Sequence, residues 1–317
     1  MATLPPSVRL GPVTHVYQSW NNCGPATVAM AVSILGTRLD QREAARQLKP
    51  DPEDKNVSPE EMAAYIAGLP GLGAADIQGA DLELLRRLLA AGFPVIAETW
   101  FEPDPGDEMG HYRLLVGYEG LPGTAEATLL AFDSYLGPDR RLPEATFDAE
   151  WRSFNRRMVV PHRGEDRERL QELLGPRADA AGQAALALER AENELAARPD
   201  AIAWFNLGSS ALLAQRTDRA AEAFDQARAL GLPWRMLWYQ FGPFEAYAAE
   251  GRWEDLAALA EANLRNASNL EESLYWRARA EEARGDTLRA RASLQQALRL
   301  RPDFAAARKA LDNLAAP

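Results

Sequence analysis

Cysteine is nearly missing from this sequence: 317 residues carry one, Cys23. A single thiol closes no internal disulfide and builds no thiolate zinc cluster, so cysteine usage does not fix a redox compartment. Histidine is almost as scarce, with His15, His111 and His162 only. Basic charge is also in deficit: 35 Lys and Arg stand against 46 Asp and Glu, for a net charge of -11 and a pI near 5.0. That balance excludes the basic stripe nucleic acid requires and disfavours anionic membrane surfaces. No apolar run approaches the ~20 residues of a membrane helix, so no membrane span is expected. The opening "MATLPPSVRLGPVTHVYQ" lacks an apolar core of signal-peptide length. The location expected is therefore the cytoplasm, or outside it if an export signal has been removed. The Pro-rich "LPPSVRLGP" reads as a linker or as an extended segment hugging a sheet edge. Biased tracts are absent too. With 47% hydrophobic and 26% charged residues the chain is an ordinary soluble globular protein, long enough for two cores.

The two halves follow different patterns. Residues 1–162 mix helix and strand signals. An apolar helix should follow Cys23 and end near Gly36. A second opens at "VSPEEMAAYIAGL", where Ser58 caps, Pro59 suits the first helical position and Glu61 completes a capping box. A third, "ADLELLRRLLAAG", runs from about Asp81 to Gly92. Then "FPVIAETW" (93–100), "HYRLLVGYE" (111–119) and "ATLLAFDSY" (127–135) read as strands, being short, β-branched or aromatic, and bounded by Gly and Pro. "RRMVVPH" (156–162) is a fourth candidate. Helices followed by an antiparallel sheet predict an α+β domain.

Residues 163–317 read as helix throughout. The segment 163–185 is expected to connect, and 186–317 to form a repeat array. "AWFNLGSSALLAQRTDRAAEAFDQARALGLP" carries Trp204, Leu207 and Gly208, then Ala220, Phe224, Ala227 and Pro233. The order W-x2-L-G, A-x3-F, P resembles the tetratricopeptide pattern. Pro199 and Pro233 lie 34 residues apart, as do Gly251 and Gly285. Ala290, Leu294, Ala297 and Pro302 repeat the second-helix pattern. The stretch "WRMLWYQFGPFEAY" is degenerate, with an apparent two-residue insertion. Leu186 to Pro199 resembles one more second helix, and "DFAAARKALDNLA" would cap the end. Three to four helix pairs, each unable to bury its apolar face alone, predict a short all-α solenoid suited to a peptide or protein partner. Trp204, Trp238, Trp253 and Trp276 are expected to serve its packing.

In "QSWNNCGPATVAMAVSILG", Pro25 fits a first helical turn and no later position. Cys23 therefore stands at a helix N-terminus, where the dipole favours a thiolate. A buried structural cysteine gains nothing there, whereas a nucleophile gains reactivity. A thiolate needs a proton acceptor. His15 and His162 are expected to be solvated, but His111 opens a strand just after Gly110, which removes side-chain bulk where a substrate backbone could pass. Asp133 ends a second strand 22 residues on. If these strands pair as a hairpin, Asp133 meets His111 and fixes its tautomer. Taken alone, Asp133 is equally a turn residue before "SYLGP", and His111 an ordinary strand-end histidine. Gln18, shortly upstream, offers a side-chain amide to an oxyanion beside the Cys23 N–H; Asn21 and Asn22 compete for that role. Trp20, in the same loop, is a candidate substrate contact with Gly110.

"Q-x4-CGPA" before an apolar helix, then "G-H-Y-x-x-x-V-G-Y", then "FDSYLGP" resembles the papain-like cysteine peptidases of the double-glycine leader peptidase, bacteriocin-processing type. The free-standing bacterial branch is the most similar. "LLAAGFPVIAETW" and "FDAEWRSFNRRMVV" fit the same order, so the resemblance covers most of residues 10–162. It implies Cys23 as nucleophile, His111 as base and then acid, Asp133 as orienter and Gln18 as oxyanion donor. Helical repeats, not transporter segments, follow this domain, which puts leader-peptide substrates in doubt.

Three functions fit: a thiol hydrolase of peptide or other amide bonds, a silent papain-like binding module with a protein-interaction solenoid, and another thiol acyl transfer such as transpeptidation. A pure binder needs none of the Cys, His, Asp and Gln identities. No cofactor is called for. No metal centre is expected, since no His, Cys and carboxylate group has ligand spacing. "PDPGDEMGH" (103–111) lacks the alternating oxygens of a calcium loop. It reads as a solvated acidic loop whose Asp104, Asp107 and Glu108 would favour basic substrates.

Overall fold

The structure is a computed structural model; it describes residues 4–314 apart from 52 and 55. The first half runs β1 (Ser7–Arg9), α1 (Cys23–Ile34), α2 (Gln41–Leu48), α3 (Pro59–Ala67), β2 (Leu72–Ile77), α4 (Leu82–Ala90), β3 (Val95–Phe101), β4 (Met109–Glu119), β5 (Thr128–Asp133), β6 (Gly137–Pro143), α5 (Glu144–Arg152) and β7 (Met158–Arg163). The second is helical: α6 (Arg167–Leu174), α7 (Ala180–Ala197), α8 (Ala201–Leu213), α9 (Thr217–Leu230), α10 (Gly242–Ala249), α11 (Trp253–Asn266), α12 (Glu271–Ala283), α13 (Thr287–Leu300) and α14 (Ala305–Asn313).

One antiparallel sheet organises the first half, in the order β2-β7-β3-β4-β5-β6, with β1 beside the far end of β4. Both faces are covered. On one, Val28, Met30 and Val32 of α1 and Met62 and Ile66 of α3 pack on Ile96, Leu114, Leu130 and Val159. On the other, Leu85 and Leu89 of α4 and Phe147 and Trp151 of α5 pack on Val95, Leu115, Leu129 and Met158. Alternate residues of each central strand thus enter opposite cores, and such a strand reads as one unbroken apolar run. Helix α1 is buried from Gly24 to Val32, as a helix apolar all round must be. Ser58 and Glu61 form the capping box of α3. The helices do not all precede the sheet. β1 precedes them and β2 lies between α3 and α4, and β1 is the part of the extended "LPPSVRLGP" segment held against Gly117–Glu119.

The helices of the second half pack pairwise in chain order. The hairpins α8–α9 and α12–α13 each turn within three residues (214–216 and 284–286). Small residues let them close: a Cβ on Gly208 would lie 2.6 Å from the Phe224 ring. In the degenerate stretch α10 has only eight residues. Trp204, Trp253 and Trp276 pack against this core, and so does Trp100 of β3.

The two halves are stitched together. Arg152 meets Glu194 and Asp200, and Arg156 reaches Glu194 at 2.7 Å. Asn206 donates to the Arg152 carbonyl (2.9 Å) and Asn155 to Ser210 (3.0 Å). Farther along, Gln240 donates to the Ser153 carbonyl (2.9 Å) and Arg301 pairs with Glu61. Arg235 donates to Asp107 (2.6 Å) and to the Glu108 carbonyl (3.0 Å). The acidic loop stays exposed at Asp104, Pro105 and Gly106, as expected of a solvated loop, but Arg235 ties its end to the helical half and offsets the Asp107 charge. The array spends the surface carrying Glu194, Ser210, Arg235 and Arg301 on its own N-terminal half.

Candidate active site

Loop 17–22 and the first turn of α1 place the thiol. Gln41 of α2 straps the loop: its amide donates to the Tyr17 carbonyl (2.7 Å) and accepts from the Ser19 N–H (3.0 Å) and Asn22 Nδ2 (2.6 Å). Lys49 donates to the Asn21 carbonyl at 2.8 Å. Asn22 is thereby committed to the strap and does not cap α1. One turn into α1, on the same helix face as Cys23, Thr27 donates to the Tyr112 carbonyl (3.3 Å). That bond fastens the helix start beside the strand that carries His111.

His111 pairs across the sheet with Thr99 and is 2% exposed. Its Nε2 donates to Asp133 Oδ1 at 2.9 Å, which leaves Nδ1 for the Cys23 sulfur. Burial alone would push the thiol up. The His111 hydrogen bond and charge, the Tyr112 N–H and the Lys49 charge outweigh it and hold Cys23 below its ordinary value. Burial likewise opposes a charged His111, but Asp133 and Cys23 raise it to about 9. Asp133 is desolvated too, yet its bonds hold it well below the usual carboxylate range. Oδ1 also accepts from the Tyr135 and Leu136 N–H groups (2.8 and 2.9 Å), and Oδ2 accepts from Arg113 Nε (3.2 Å). Asp133 is at once turn-former and partner of His111. All these shifts favour a thiolate beside an imidazolium, an arrangement able to attack a carbonyl carbon and return a proton.

Gln18 lies against Asp133's neighbour. Its N–H donates to the Ser134 carbonyl (2.9 Å) and its Oε1 accepts from the Ser134 hydroxyl (2.8 Å), so the amide's Nε2 is its remaining donor. Trp20 is 74% exposed in the loop between Gln18 and Cys23, and Tyr17 and Tyr135 flank it in sequence and across the Gln18–Ser134 join, both exposed. Gly110 is not an open passage: a Cβ there would lie 3.1 Å from each of Glu98 Oε1, Phe154 Cζ and Tyr239 Cδ1. The missing side chain admits those groups.

Two histidines also depart from expectation. His15 donates from Nε2 to the Asp133 carbonyl (3.0 Å) and packs edge-on against Tyr17. His162 is buried, with Nδ1 donating to the Arg163 carbonyl (2.7 Å) and its ring against Gly73. His162 is buried and His15 half-buried, because each serves as a packing group with one backbone partner. Among the described residues no group of three or more His, Cys, Asp and Glu could hold a metal ion, and no helix is long and apolar enough to cross a membrane.

Residues 11–159 match the family model described as "Peptidase_C39 like family". That match supports a papain-like cysteine peptidase fold for the region. No curated protein matches the chain. Among solved structures, a candidate C39-like peptidase from Bacillus anthracis is 16% identical over 50% of this chain and 98% of its own, with a TM-score of 0.40. A chain described as "MamA RS-1 ArsTM double mutant" is 16% identical over 47% of this chain and 83% of its own, with a TM-score of 0.38. Within the C39-like region, three residues escaped the sequence reading. Arg113 stands two along from His111 on one strand face, opposite Asp133, a period-2 signal that was there to be found. Ser134 follows Asp133 directly. Glu98, paired across strands with Tyr112, is buried. Burial pushes its carboxyl well above the usual range, and the Cys23 charge adds to that.

Proposed function

We propose that the chain is a cysteine peptidase, or a closely related thiol amide hydrolase, working through Cys23, His111 and Asp133. The Cys23 thiolate attacks the scissile carbonyl carbon. The oxyanion is met by the Cys23 N–H at the open start of α1 and by Gln18 Nε2, whose orientation Ser134 sets. His111 gives its proton to the departing amine, and the acyl group remains on sulfur. His111 then takes a proton from water, the hydroxyl attacks the thioester, and the acid leaves as the proton returns to the pair. Asp133 holds the His111 tautomer throughout. The observation that carries this reading is the 2.9 Å His111–Asp133 bond, with His111 the chief group that, against burial, holds the Cys23 thiol below its ordinary value.

The helical half is read as a tetratricopeptide array, supported by the Trp204–Gly208 and Ala220–Phe224 spacing and the seating of Phe224 against Gly208. Its substrate or partner role rests on surfaces other than those spent on the C39-like region. The deciding experiment is alkylation of Cys23 against pH. Wild type should label well below the ordinary thiol range of ~8.5, and His111→Ala should return labelling to that range and abolish peptide hydrolysis. Identical ordinary titration of both proteins overturns the proposal.

A further inference from the structure

The helical half delivers a side chain to the strand segment that carries His111. Tyr239 lies between two anchors. Before it, Arg235 is held over the Trp234 ring (4.4 Å) and near Trp238 (5.5 Å) while its guanidinium bonds Asp107 and the Glu108 carbonyl. After it, Gln240 bonds the Ser153 carbonyl. The ring stands edge-on to Trp100 (6.5 Å) and Phe154 (6.4 Å) and takes the space that Gly110 leaves open. Gly110 directly precedes His111, so the ring stands beside the strand residue that carries the imidazole; burial pushes the Tyr239 phenol up, and the Cys23 charge adds to that.

Resting on the peptidase reading above, we propose that Tyr239 is a specificity-determining residue: it walls the cleft on the Gly110 side of Cys23 and limits the size of the substrate group accepted there. The helical half is then a component of the site and not only an appendage to it. Side chains that project toward this wall must be small, and bulky ones are refused by contact with a ring locked at both ends. Trp100 and Phe154 back the ring, so it cannot swing away without repacking both.

The test compares two cysteine reagents on the full chain, iodoacetamide and a bulky aryl maleimide, with mass spectrometry reporting Cys23. Tyr239→Ala should raise the bulky-to-small rate ratio by at least about tenfold, the low end of discrimination by pocket size. Tyr239→Phe, which keeps the ring, should leave the ratio at the wild-type value. An unchanged ratio in Tyr239→Ala overturns the proposal, as does a Tyr239→Phe effect equal to that of alanine. If alanine at 239 prevents folding, Tyr239→Leu keeps apolar contact with Trp100 and Phe154 at shorter reach, and the same ratio decides. The readout needs no turnover. A thiol that titrates ordinarily would sink the peptidase reading while the size ratio still ruled on Tyr239.

Discussion

Asp133→Asn removes one charge from the deepest part of the site with almost no change in shape. The replaced side chain can still accept the Tyr135 and Leu136 N–H groups, so the turn after β5 should hold. What it loses is the anion behind His111. His111 stands at about 9 against an ordinary 6.5, and each pH unit corresponds to 1.36 kcal/mol, so the imidazolium is favoured by ~3 kcal/mol net of burial. Burial works against the charge, and Asp133 is the largest of the contributions that overcome it. Without it His111 should fall to its ordinary value or lower, and Cys23 should lose its cationic neighbour at neutral pH. A thiol that returns to ~8.5 is about 3% ionised at pH 7, so alkylation there should slow roughly thirtyfold. The assay is the iodoacetamide rate at Cys23 from pH 4 to 9 for both proteins, with a melting curve to show that the variant is folded. A folded Asp133→Asn protein whose labelling midpoint coincides with that of wild type would refute the electrostatic account of the site.

Gln18→Ala should lower kcat for a peptide substrate by ~10²–10³, the usual loss on removing one oxyanion donor, while the labelling midpoint stays put; a shifted midpoint would show that Gln18 acts through the thiol instead. Arg152→Ala removes the Asp200 pair and leaves Glu194 to Arg156 alone, so it should cost about 1.5–3 kcal/mol, the usual loss of hydrogen bonds to a charged group, and less than a buried pair stripped of one partner; chemical denaturation showing no change would mean the pair contributes little to joining the halves. The His111 contribution to stability should be complete below ~6.5 and disappear as pH rises through about 9, because the folded value is raised. The Asp133 contribution runs the other way: present above ~4 and lost as pH falls, because its folded value is depressed. Melting temperatures of wild type and His111→Gln should therefore converge between pH 6.5 and 9; a constant gap would contradict the linkage.

How much of this was legible depended on where each element sits. β3, β4, β5 and β7 occupy the middle of the sheet, are apolar on both faces, and stood out in the sequence. β2 ("LGAADI") and β6 ("GPDRRLP") are the two edges. Edge strands tolerate Gly, Pro and charge because half their backbone groups face away from the sheet, so their composition looked like loop. α2 ("QREAARQL") buries only Ala44 and Leu48, too little apolar pattern to announce a helix. In the site, the order Cys–His–Asp could be read because Cys23 opens a helix, Asp133 closes a strand and His111 lies near the start of one, two residues inside the end expected for it. The ties among Arg113, Ser134 and Gln41 depend on strand register and loop path, which no local spacing encodes. The contact of residues 235–240 with Gly110 lay further out of reach, since it joins segments about 130 residues apart.

Trp100 belongs to β3 by chain order and to the helical core by packing, and this bears on how the protein can be handled. A fragment ending at Arg163 would leave that indole and the Phe154 ring bare, and Arg152 and Arg156 without Glu194. Severed this way, the first half gains a sticky flank and one uncompensated cation, Arg152, while Arg156 keeps Asp148. Its failure to hydrolyse a peptide in isolation would then report the amputation and say nothing about the chemistry of Cys23.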